Sequence, residues 1–527
     1  MRQHQAGSRP ICLPVAGCEY IHLSKIQFLP FAPEDVMQKT WNAALWLLVA
    51  AVFASVLFSD FLSLPFGGYA SQRFILVGLL GLAVSFSVVV LVYQHGWALL
   101  GRIWPVALVA GGFVLLALAF GESPYNWAEP GMYAAFFLGF VLVGSLPGSE
   151  KQRQYWVVVL VSVAAATAAF YGGATITVYL FALSDQVANL SSFIPWGFVN
   201  IRYWSHIATW LLPLLPLAVL VGPLRDQRLW RFFIALGAAL WWWVVFLSSS
   251  RGTMLGLAFG VLVAVVLIGR PALPWLKMFL RYLAYGVIAW LLLSVLIPSL
   301  LLDEISIRAL KADTSGRMPL FIEAWRMSLE NIPFGMGPQS WLTHEILTEG
   351  YRQSPKFGHP HNMYLMWAAE YGWLLIGVLL LLVGQAVRLF WQRRDEVRAS
   401  KNDDLAQPLA AFTASVSAAL LHAGVSAVFM APGSMLIGFL VLCVFWALIT
   451  PESRPITPRR PKVRGVAAVL VGLLVGLPSL YWLNEVAAYH KAMESDLEFY
   501  YENVPTGTLP RFWFHGNFPR HSRQMPN

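Results

Sequence analysis

The chain has 527 residues, of which 58% are hydrophobic and 12% charged, which is about half the charge of an ordinary soluble domain. This composition excludes a disordered protein and a soluble multidomain enzyme, and three cysteines cannot form a disulfide framework. The net charge of +9 suggests an acidic partner, although in a membrane protein an excess of Lys and Arg can instead record topology.

The first 40 residues are polar and are interrupted by prolines, so residues 1–40 are predicted to be a cytoplasmic N-terminal segment. No apolar core of signal-peptide length follows the basic residues Arg2 and Arg9, and no small-residue cleavage site follows. The first apolar run is therefore expected to be an uncleaved membrane anchor.

Thirteen apolar runs are long enough to cross a bilayer as helices, which takes roughly 17 to 25 residues. Since backbone polar groups in lipid must be satisfied within the segment, each run is predicted to be a helix. The predicted fold class is an all-α polytopic integral membrane protein with a large outer loop between spans 9 and 10. The spans are 41–58, 74–93, 103–120, 131–146, 155–182, 204–222, 229–247, 252–268, 282–300, 373–390, 408–428, 433–450 and 465–483.

Basic residues alternate between the connections. With the N-terminus in the cytoplasm, the inner segments hold 23 of the 36 Lys and Arg residues. This orientation predicts spans 1–9 within residues 41–300, spans 10–13 within residues 373–483, and an outer C-terminal tail over residues 484–527. The tail is aromatic enough to dock on another surface, and an acceptor protein is one such surface.

The connection over residues 301–372 is far longer than the others. Loops of more than ~12–15 residues in a compact protein are usually functional or disordered. Because this one is rich in aromatic residues such as Trp325 and Trp341, it is predicted to be a folded cap with its own helices, including one over residues 319–331. Any chemistry is expected here.

Arg251 stands in the turn between spans 7 and 8, on the outer face, against the basic bias. Two interpretations stay open. The guanidinium reaches lipid headgroups at the interface, or it binds an anion beside the N-terminus of the next helix. The repeat Gly252, Gly256, Gly260 predicts close helix packing.

Two further features of the loop are weak signals by themselves. Arg317 precedes the predicted helix and is in isolation an ordinary solvated charge. The stretch Asn331–Pro338 is a Gly/Pro turn in which Gly335 and Gly337 would let the backbone approach a ligand.

The strongest local signal is His359-Pro360-His361-Asn362, because Pro360 suits the first position of a helix. Three interpretations stay open: a metal site, for which no further Cys or acidic ligand accompanies the pair; a capping role; or a proton-transfer histidine. Glu370 lies about half a turn from His361 and is expected to orient another group or to meet water. His422, inside span 11, fits a functional role or an interhelical hydrogen bond.

These motifs in this order resemble the O-antigen ligase and polymerase superfamily of bacterial envelope glycan transferases. Ser249-Ser250-Arg251-Gly252 resembles its S-R-G turn, and Arg317 with Trp325 and Pro333–Gly337 resembles its R…W…P-x-G-x-G stretch. His359–Leu365 with Glu370-Tyr371-Gly372 resembles its H-x-H-N-x-x-L…E-x-G signature. Gly197–Arg202 is similar to an earlier Asn-Arg span. The similarity covers roughly residues 195–385.

The resemblance implies a metal-independent glycosyltransferase without a cofactor. It would move a glycan from undecaprenyl diphosphate to an acceptor hydroxyl at the periplasmic face of the bacterial inner membrane. Residues 301–372 would then be a periplasmic catalytic loop. Arg251 and Arg317 would hold the diphosphate and His361 would act as base, with a substrate-binding set of His359, Asn362, Arg202, Gly335, Gly337 and Glu370.

The predicted partners are the lipid-linked glycan donor, membrane lipid and an acceptor, with no nucleic acid. Lipid A–core is the favoured acceptor; a pilin hydroxyl, or another carrier-linked repeat as in a polymerase, is the alternative. A transporter or flippase for lipid-linked glycan is the alternative from another class, but the unusual residues gather at the outer face rather than at the membrane midplane. The thirteenth span and the tail depart from the usual family pattern.

Overall fold

The computed structural model describes residues 34–63, 67–122, 125–187, 189–302, 305, 316–400, 403–452, 461–503, 510–516 and 518–519. Residues 1–45 and residues 46–527 form two compact units. In the first unit the structure describes only the start of one helix, so most of the predicted N-terminal segment 1–40 lies outside the described residues.

The described residues form helices and no β-strand. In chain order the helices are α1 (Glu34–Leu57), α2 (Gly68–His95), α3 (Leu100–Phe120), α4 (Ala128–Gly144), α5 (Glu150–Ser184), α6 (Ile201–Leu211), α7 (Arg228–Leu247), α8 (Arg251–Ile268), α9 (Leu273–Trp290), α10 (Ile297–Leu301), α11 (Met318–Glu330), α12 (Ser340–Thr343), α13 (Glu349–Arg352), α14 (Met363–Ser400), α15 (Asp403–Ala423), α16 (Pro432–Ile449), α17 (Pro461–Ser495) and α18 (Leu497–Asn503).

Within the described part of the chain, eleven helices are long and apolar enough to cross a membrane. A twelfth apolar helix, α4, has 17 residues and corresponds to the predicted fourth span. The chain is therefore an all-α polytopic membrane protein, as the sequence predicts.

The predicted sixth span, 204–222, is not one continuous helix. α6 ends at Leu211, and a short 3-10 helix over Leu215–Val219 follows. Pro213 and Pro216 cause the break, because a proline supplies no backbone donor. The carbonyl of Pro213 accepts a 2.8 Å hydrogen bond from the indole Nε1 of Trp275. A side-chain donor thus satisfies a backbone group that the helix cannot.

The predicted tenth span begins earlier than expected, at Met363 instead of residue 373, and its helix is interrupted at Gly372, where φ is 79°. The Gly/Pro turn packs into this interruption. The amide of Met336 donates to the carbonyl of Ala369 at 2.9 Å, and the amide of Leu374 donates to the carbonyl of Pro333 at 3.0 Å. The P-x-G-x-G and E-x-G motifs are therefore structural partners.

The loop between the ninth and tenth spans contains three helices, α11 to α13, and α11 occupies the stretch for which a helix is predicted. Leu320, Met327, Trp341 and Tyr351 form its buried core. The carboxylate of Glu323 is satisfied inside this cap by His344, Leu347 and Thr348. The prediction of a folded cap is confirmed for the described residues.

Candidate active site

The start of α8 and the end of α15 lie against each other because α8 presents glycines along the shared face. A Cβ on Gly260 would lie 2.2 Å from the carbonyl oxygen of Ala414. A Cβ on Gly252 would lie 2.5 Å from Nε2 of His422. The S-R-G turn therefore needs glycine after Arg251 so that His422 can pack directly against the helix start.

His422 belongs to a buried polar network that joins α6, α8 and α15. Its Nδ1 lies 2.8 Å from Oγ1 of Thr209, which donates to the carbonyl of Ser205 at 2.9 Å and lies 3.1 Å from Oγ1 of Thr253. The interhelical hydrogen bond that is one interpretation of His422 is present.

A second histidine, His206 on α6, faces the same network. Its ring centroid lies 5.0 Å from that of His422, and its Nε2 lies 2.7 Å from Oγ of Ser426. Its Nδ1 is buried and has no partner among the described residues. No spacing pattern marks this residue, because it is separated from Ser426 by 220 positions.

Arg317 reaches this cluster from the cap. Its Nη1 donates to the carbonyl of Val425 at 2.8 Å, while its Nε is buried without a hydrogen-bond partner among the described residues. Burial, followed by the positive charges of Arg202 and Arg251, lowers the pKa of Arg317 to about 10. Arg202 and Arg251, from two other motifs, are thus each close enough to Arg317 to disfavour its charge.

The two histidines of the H-x-H motif are buried in one tight turn, and His361 is 3% exposed. The backbone amide of His361 donates to Nδ1 of His359 at 3.1 Å, so the proton of the neutral His359 ring is at Nε2. The ring centroids lie 4.4 Å apart. Nδ1 of His361 is buried and makes no hydrogen bond to the described residues.

Both rings are held neutral. Burial, with the charges of Arg511, Arg202 and Arg317, lowers the pKa of His359 to about 3. Burial, His359, Arg202 and Arg317 lower the pKa of His361 well below its ordinary value. An uncharged imidazole with an uncommitted nitrogen can accept a proton at neutral pH.

The backbone of His361 has a φ of 59°, a left-handed conformation that is uncommon for a residue other than glycine. Pro360 consequently does not open the helix, which begins at Met363. Asn362 does so, because its Oδ1 accepts from the amide of Leu365 at 3.0 Å. Asn362 therefore fixes the end of the turn that carries His361.

The remaining residues of the predicted set lie on other elements of the fold. Arg202 follows Asn200, whose Oδ1 accepts from its amide at 2.9 Å, at the start of α6. Gly335 and Gly337 make room for protein backbone, since added Cβ atoms would lie 2.5 Å from the amide nitrogen of Gly372 and 2.1 Å from the carbonyl oxygen of Phe120. Their role in substrate binding stays a prediction.

Glu370 is completely buried and does orient another group, Arg511 of the C-terminal tail. Nη2 of Arg511 lies 2.7 and 2.8 Å from the two carboxylate oxygens of Glu370. The same guanidinium contacts both carboxylate oxygens of Glu129 at 2.8 and 2.9 Å, and Nη1 donates to the carbonyl of Gly358 at 3.2 Å. Although burial disfavours its charge, Glu129 and Glu370 raise the pKa of Arg511 well above its ordinary value.

No local sequence signal marks Arg511. It lies 141 positions from Glu370 and 382 from Glu129, within a tail that resembles no family motif. The described tail residues 510–516 pack into the bundle of this chain, where Phe512 and Trp513 are each 1% exposed. Over these residues, the surface on which the tail docks is therefore the helix bundle of the same chain.

A cavity of about 300 Å³ lies beside α6, close to the segment that carries Arg202. Asp60, Tyr69, Gln72, Gly197 and Tyr203 are among its lining residues. Asp60 is the charged residue in this lining, so the cavity suits a neutral, hydroxyl-rich group better than an anion.

Among the described residues, no group of three or more His, Cys, Asp or Glu side chains is placed to hold a metal ion.

No curated protein sequence matches this chain. Residues 236–382 match the family model described as O-antigen ligase. This range runs from α7 to α14 and includes Arg251, Arg317, the Gly/Pro turn and the two histidines. The chain therefore carries a domain of the O-antigen ligase superfamily, a group of glycosyltransferase-type membrane enzymes.

Proposed function

We propose that this protein transfers a glycan from undecaprenyl diphosphate to an acceptor hydroxyl, with lipid A–core as the favoured acceptor. The observation that carries the proposal is a pair of buried, neutral histidines that lie near Arg202 and Arg317, with Arg251 in turn near Arg317. A diphosphate leaving group needs the positive charge, and an attacking hydroxyl needs the proton acceptor.

The arginines would bind the diphosphate of the donor. Arginine presents a planar fork of donors that matches phosphate oxygens. Arg317 donates one hydrogen bond to the carbonyl of Val425, and its buried Nε makes none to the described residues, so it has capacity for a further acceptor. An anion would also offset the repulsion that Arg202 and Arg251 exert on Arg317.

His361 would act as base. The acceptor oxygen attacks the anomeric carbon, its proton passes to the neutral imidazole of His361, and the bond from the anomeric carbon to the diphosphate oxygen breaks. Undecaprenyl diphosphate leaves with the electron pair of that bond. A positioned base of this kind contributes about 10²–10⁴ to the rate. His359 keeps the turn in place through its contact with the amide of His361.

We place the acceptor in the cavity beside α6, because the carboxylate of Asp60 would repel the diphosphate but can accept hydrogen bonds from sugar hydroxyls. The C-terminal tail offers no support for a protein acceptor over its described residues, since Phe512 and Trp513 are buried within this chain. By the family's chemistry the site would face the periplasm from the bacterial inner membrane.

The test is an assay with purified protein, a lipid-linked glycan and an acceptor. We expect release of undecaprenyl diphosphate, strongly reduced in His361→Ala and in Arg251→Ala and unchanged by a chelator. Full activity of His361→Ala would contradict the base assignment, and loss of turnover with EDTA would favour a metal at the histidine pair.

A glycan that crosses a bilayer without release of undecaprenyl diphosphate would favour the transporter alternative. To identify the acceptor, the chain is expressed in a strain that lacks its own O-antigen ligase. In a parallel strain it is expressed with a candidate pilin. We expect glycosylated lipid A–core in the first strain; a glycosylated pilin alone would contradict the favoured acceptor.

A further inference from the structure

The C-terminal segment 510–516 contacts the H-x-H turn, α14 and α6, three of the elements that carry the sequence motifs. Its Arg511 side chain binds the carbonyl of Gly358, the residue immediately before the H-x-H turn, and the carboxylate of Glu370 on α14. The carbonyl of Pro510 accepts from the hydroxyl of Tyr203 at 3.0 Å, next to Arg202 on α6. One short segment thus joins three motif-bearing elements.

The segment is itself anchored on the opposite side, by α2. Nε of Arg73 donates to the carbonyl of Phe512 at 2.9 Å, and the hydroxyl of Tyr69 donates to the carbonyl of Arg511 at 2.5 Å. Arg73 is fully buried, and its guanidinium carbon lies 4.8 Å from the ring centroid of Phe512. The position of Arg511 is therefore fixed from its backbone as well as from its side chain.

The H-x-H turn needs such a support. His361 is in a left-handed conformation, which persists only where the surrounding structure holds it. Two hydrogen bonds constrain the turn. One lies inside it, from the amide of His361 to Nδ1 of His359, and the other comes from outside, from Arg511 to the carbonyl of Gly358. Without the second contact, the carbonyl that precedes the two histidines loses its buried donor.

We propose that Arg511 is a positioning residue of the active site, which holds the His359–His361 turn in its reactive geometry through Gly358 and Glu370. This inference rests on the proposed transferase function. It makes the tail an internal part of the site, with no contact between Arg511 and the substrate.

A buried arginine between two carboxylates also supports the fold, so a positioning role has to be separated from a structural one. Removal of Arg511 alone leaves Glu129 and Glu370 as unpaired buried charges, and that destabilises the protein. Replacing all three charges at once avoids this penalty. The triple variant Glu129→Gln/Glu370→Gln/Arg511→Met keeps the volumes but supplies no donor to Gly358.

The experiment measures thermal stability, kcat and KM for the lipid-linked donor in the full chain. For the triple variant we expect stability close to that of the wild type, a kcat at least ~10-fold lower and a KM within about threefold. If the triple variant has both the stability and the kcat of the wild type, the positioning role is overturned. An inactive wild-type protein would instead overturn the proposed function.

Two further variants keep the test decisive if the triple variant does not fold. Arg511→Lys retains the charge but replaces a five-donor fork by one ammonium, so we expect reduced kcat with little change in KM. Wild-type kcat in Arg511→Lys would overturn the proposal. The matched control is Arg393→Met, which removes a partly buried ion pair with Glu150 roughly 35 Å along α14 from Glu370 and should lower stability without lowering kcat.

Discussion

Arg317 and Arg511 are both arginines that the fold removes from water, but their surroundings are opposite. Arg511 contacts two carboxylates and a carbonyl, and Glu129 and Glu370 raise its pKa. Arg317 donates to a single carbonyl in the described structure, has an unpartnered buried Nε, and has its pKa lowered by burial and by two other arginines.

The difference separates two uses of a buried guanidinium. A charge whose partners are supplied by the protein holds elements together, at a desolvation cost that the ion pairs offset. A charge placed among like charges is unfavourable until an anion arrives. Arg511 is of the first kind and Arg317 of the second, so their substitution should affect different measurements.

The largest expected effect is on stability. Arg511→Ala leaves two buried carboxylates unpaired and should lower the free energy of unfolding by about 3–5 kcal/mol. Arg352→Ala, which removes an exposed ion pair with Glu349, is the control and should cost about 0–1 kcal/mol. Thermal unfolding in detergent measures both, and equal effects of the two variants would show that Arg511 is no stabilising centre.

Arg317→Ala should leave stability unchanged or raised, because it removes a half-buried charge from a repulsive cluster. Its turnover should fall about 10²–10³-fold, as for the loss of a donor at a developing charge. The control is Arg326→Ala, at an exposed arginine on α11, the helix that Arg317 immediately precedes. Glycan transfer at saturating donor measures the effect, and equal rates in the two variants would contradict the assignment.

Gly252→Ala tests the packing that brings Arg317 to its site. The added Cβ would lie 2.5 Å from His422 and 3.4 Å from Val425, whose carbonyl binds Arg317. Overpacking of this kind costs about 1–3 kcal/mol. Gly377→Ala, in open space on α14, should be neutral. The thermal stability and the transfer rate should both decrease in Gly252→Ala and stay unchanged in Gly377→Ala. Unaltered values for Gly252→Ala would refute the close contact.

The pH dependence tests whether burial, together with the charges of Arg202 and Arg317, keeps the histidines neutral. In the folded protein the pKa of His359 is about 3, below that of the unfolded chain at about 6.5, so the unfolded chain binds the proton first. Stability is complete above pH 6.5 and decreases as the pH falls below it. The value of kcat/KM should not begin to decrease as the pH falls through 6.5. Such a decrease would contradict the lowered pKa of His361.

The smallest effect is expected at the cavity beside α6. Asp60→Asn removes the carboxylate proposed to bind acceptor hydroxyls and should raise the KM for the acceptor about fivefold, a loss near 1 kcal/mol. The KM for the donor should be unchanged. Initial rates with each substrate varied in turn measure the two constants, and an effect on the donor alone would place the acceptor elsewhere.

Local patterns predict much of this molecule. Apolar runs and the bias of basic residues are properties of short segments, so the helical membrane fold and the folded cap follow from the sequence. The H-x-H turn and the motif arginines are likewise visible locally, as polar residues in connections between apolar spans. The break after α6 also has a local cause in Pro213 and Pro216. What the sequence does not show is the indole of Trp275, 62 positions away, that satisfies the carbonyl of Pro213.

The contacts that complete the site depend on distant residues. Arg511 contacts Glu129, Gly358 and Glu370 across separations of 382, 153 and 141 positions, and His206 lies 220 positions from Ser426. A single sequence records no such pairing, because periodicity and capping signals extend only a few residues. The pairing of the Gly/Pro turn with the helix interruption at Gly372 was hidden for the same reason.

The most direct test of the central claim is the affinity for undecaprenyl diphosphate of the purified protein in lipid nanodiscs. The loss of charged hydrogen bonds in Arg317→Ala should weaken binding about 10- to 100-fold, while Arg326→Ala and His361→Ala should bind as the wild type does. Equal affinity of Arg317→Ala and the wild type would contradict the account, because the uncommitted guanidinium would then have no anion to bind.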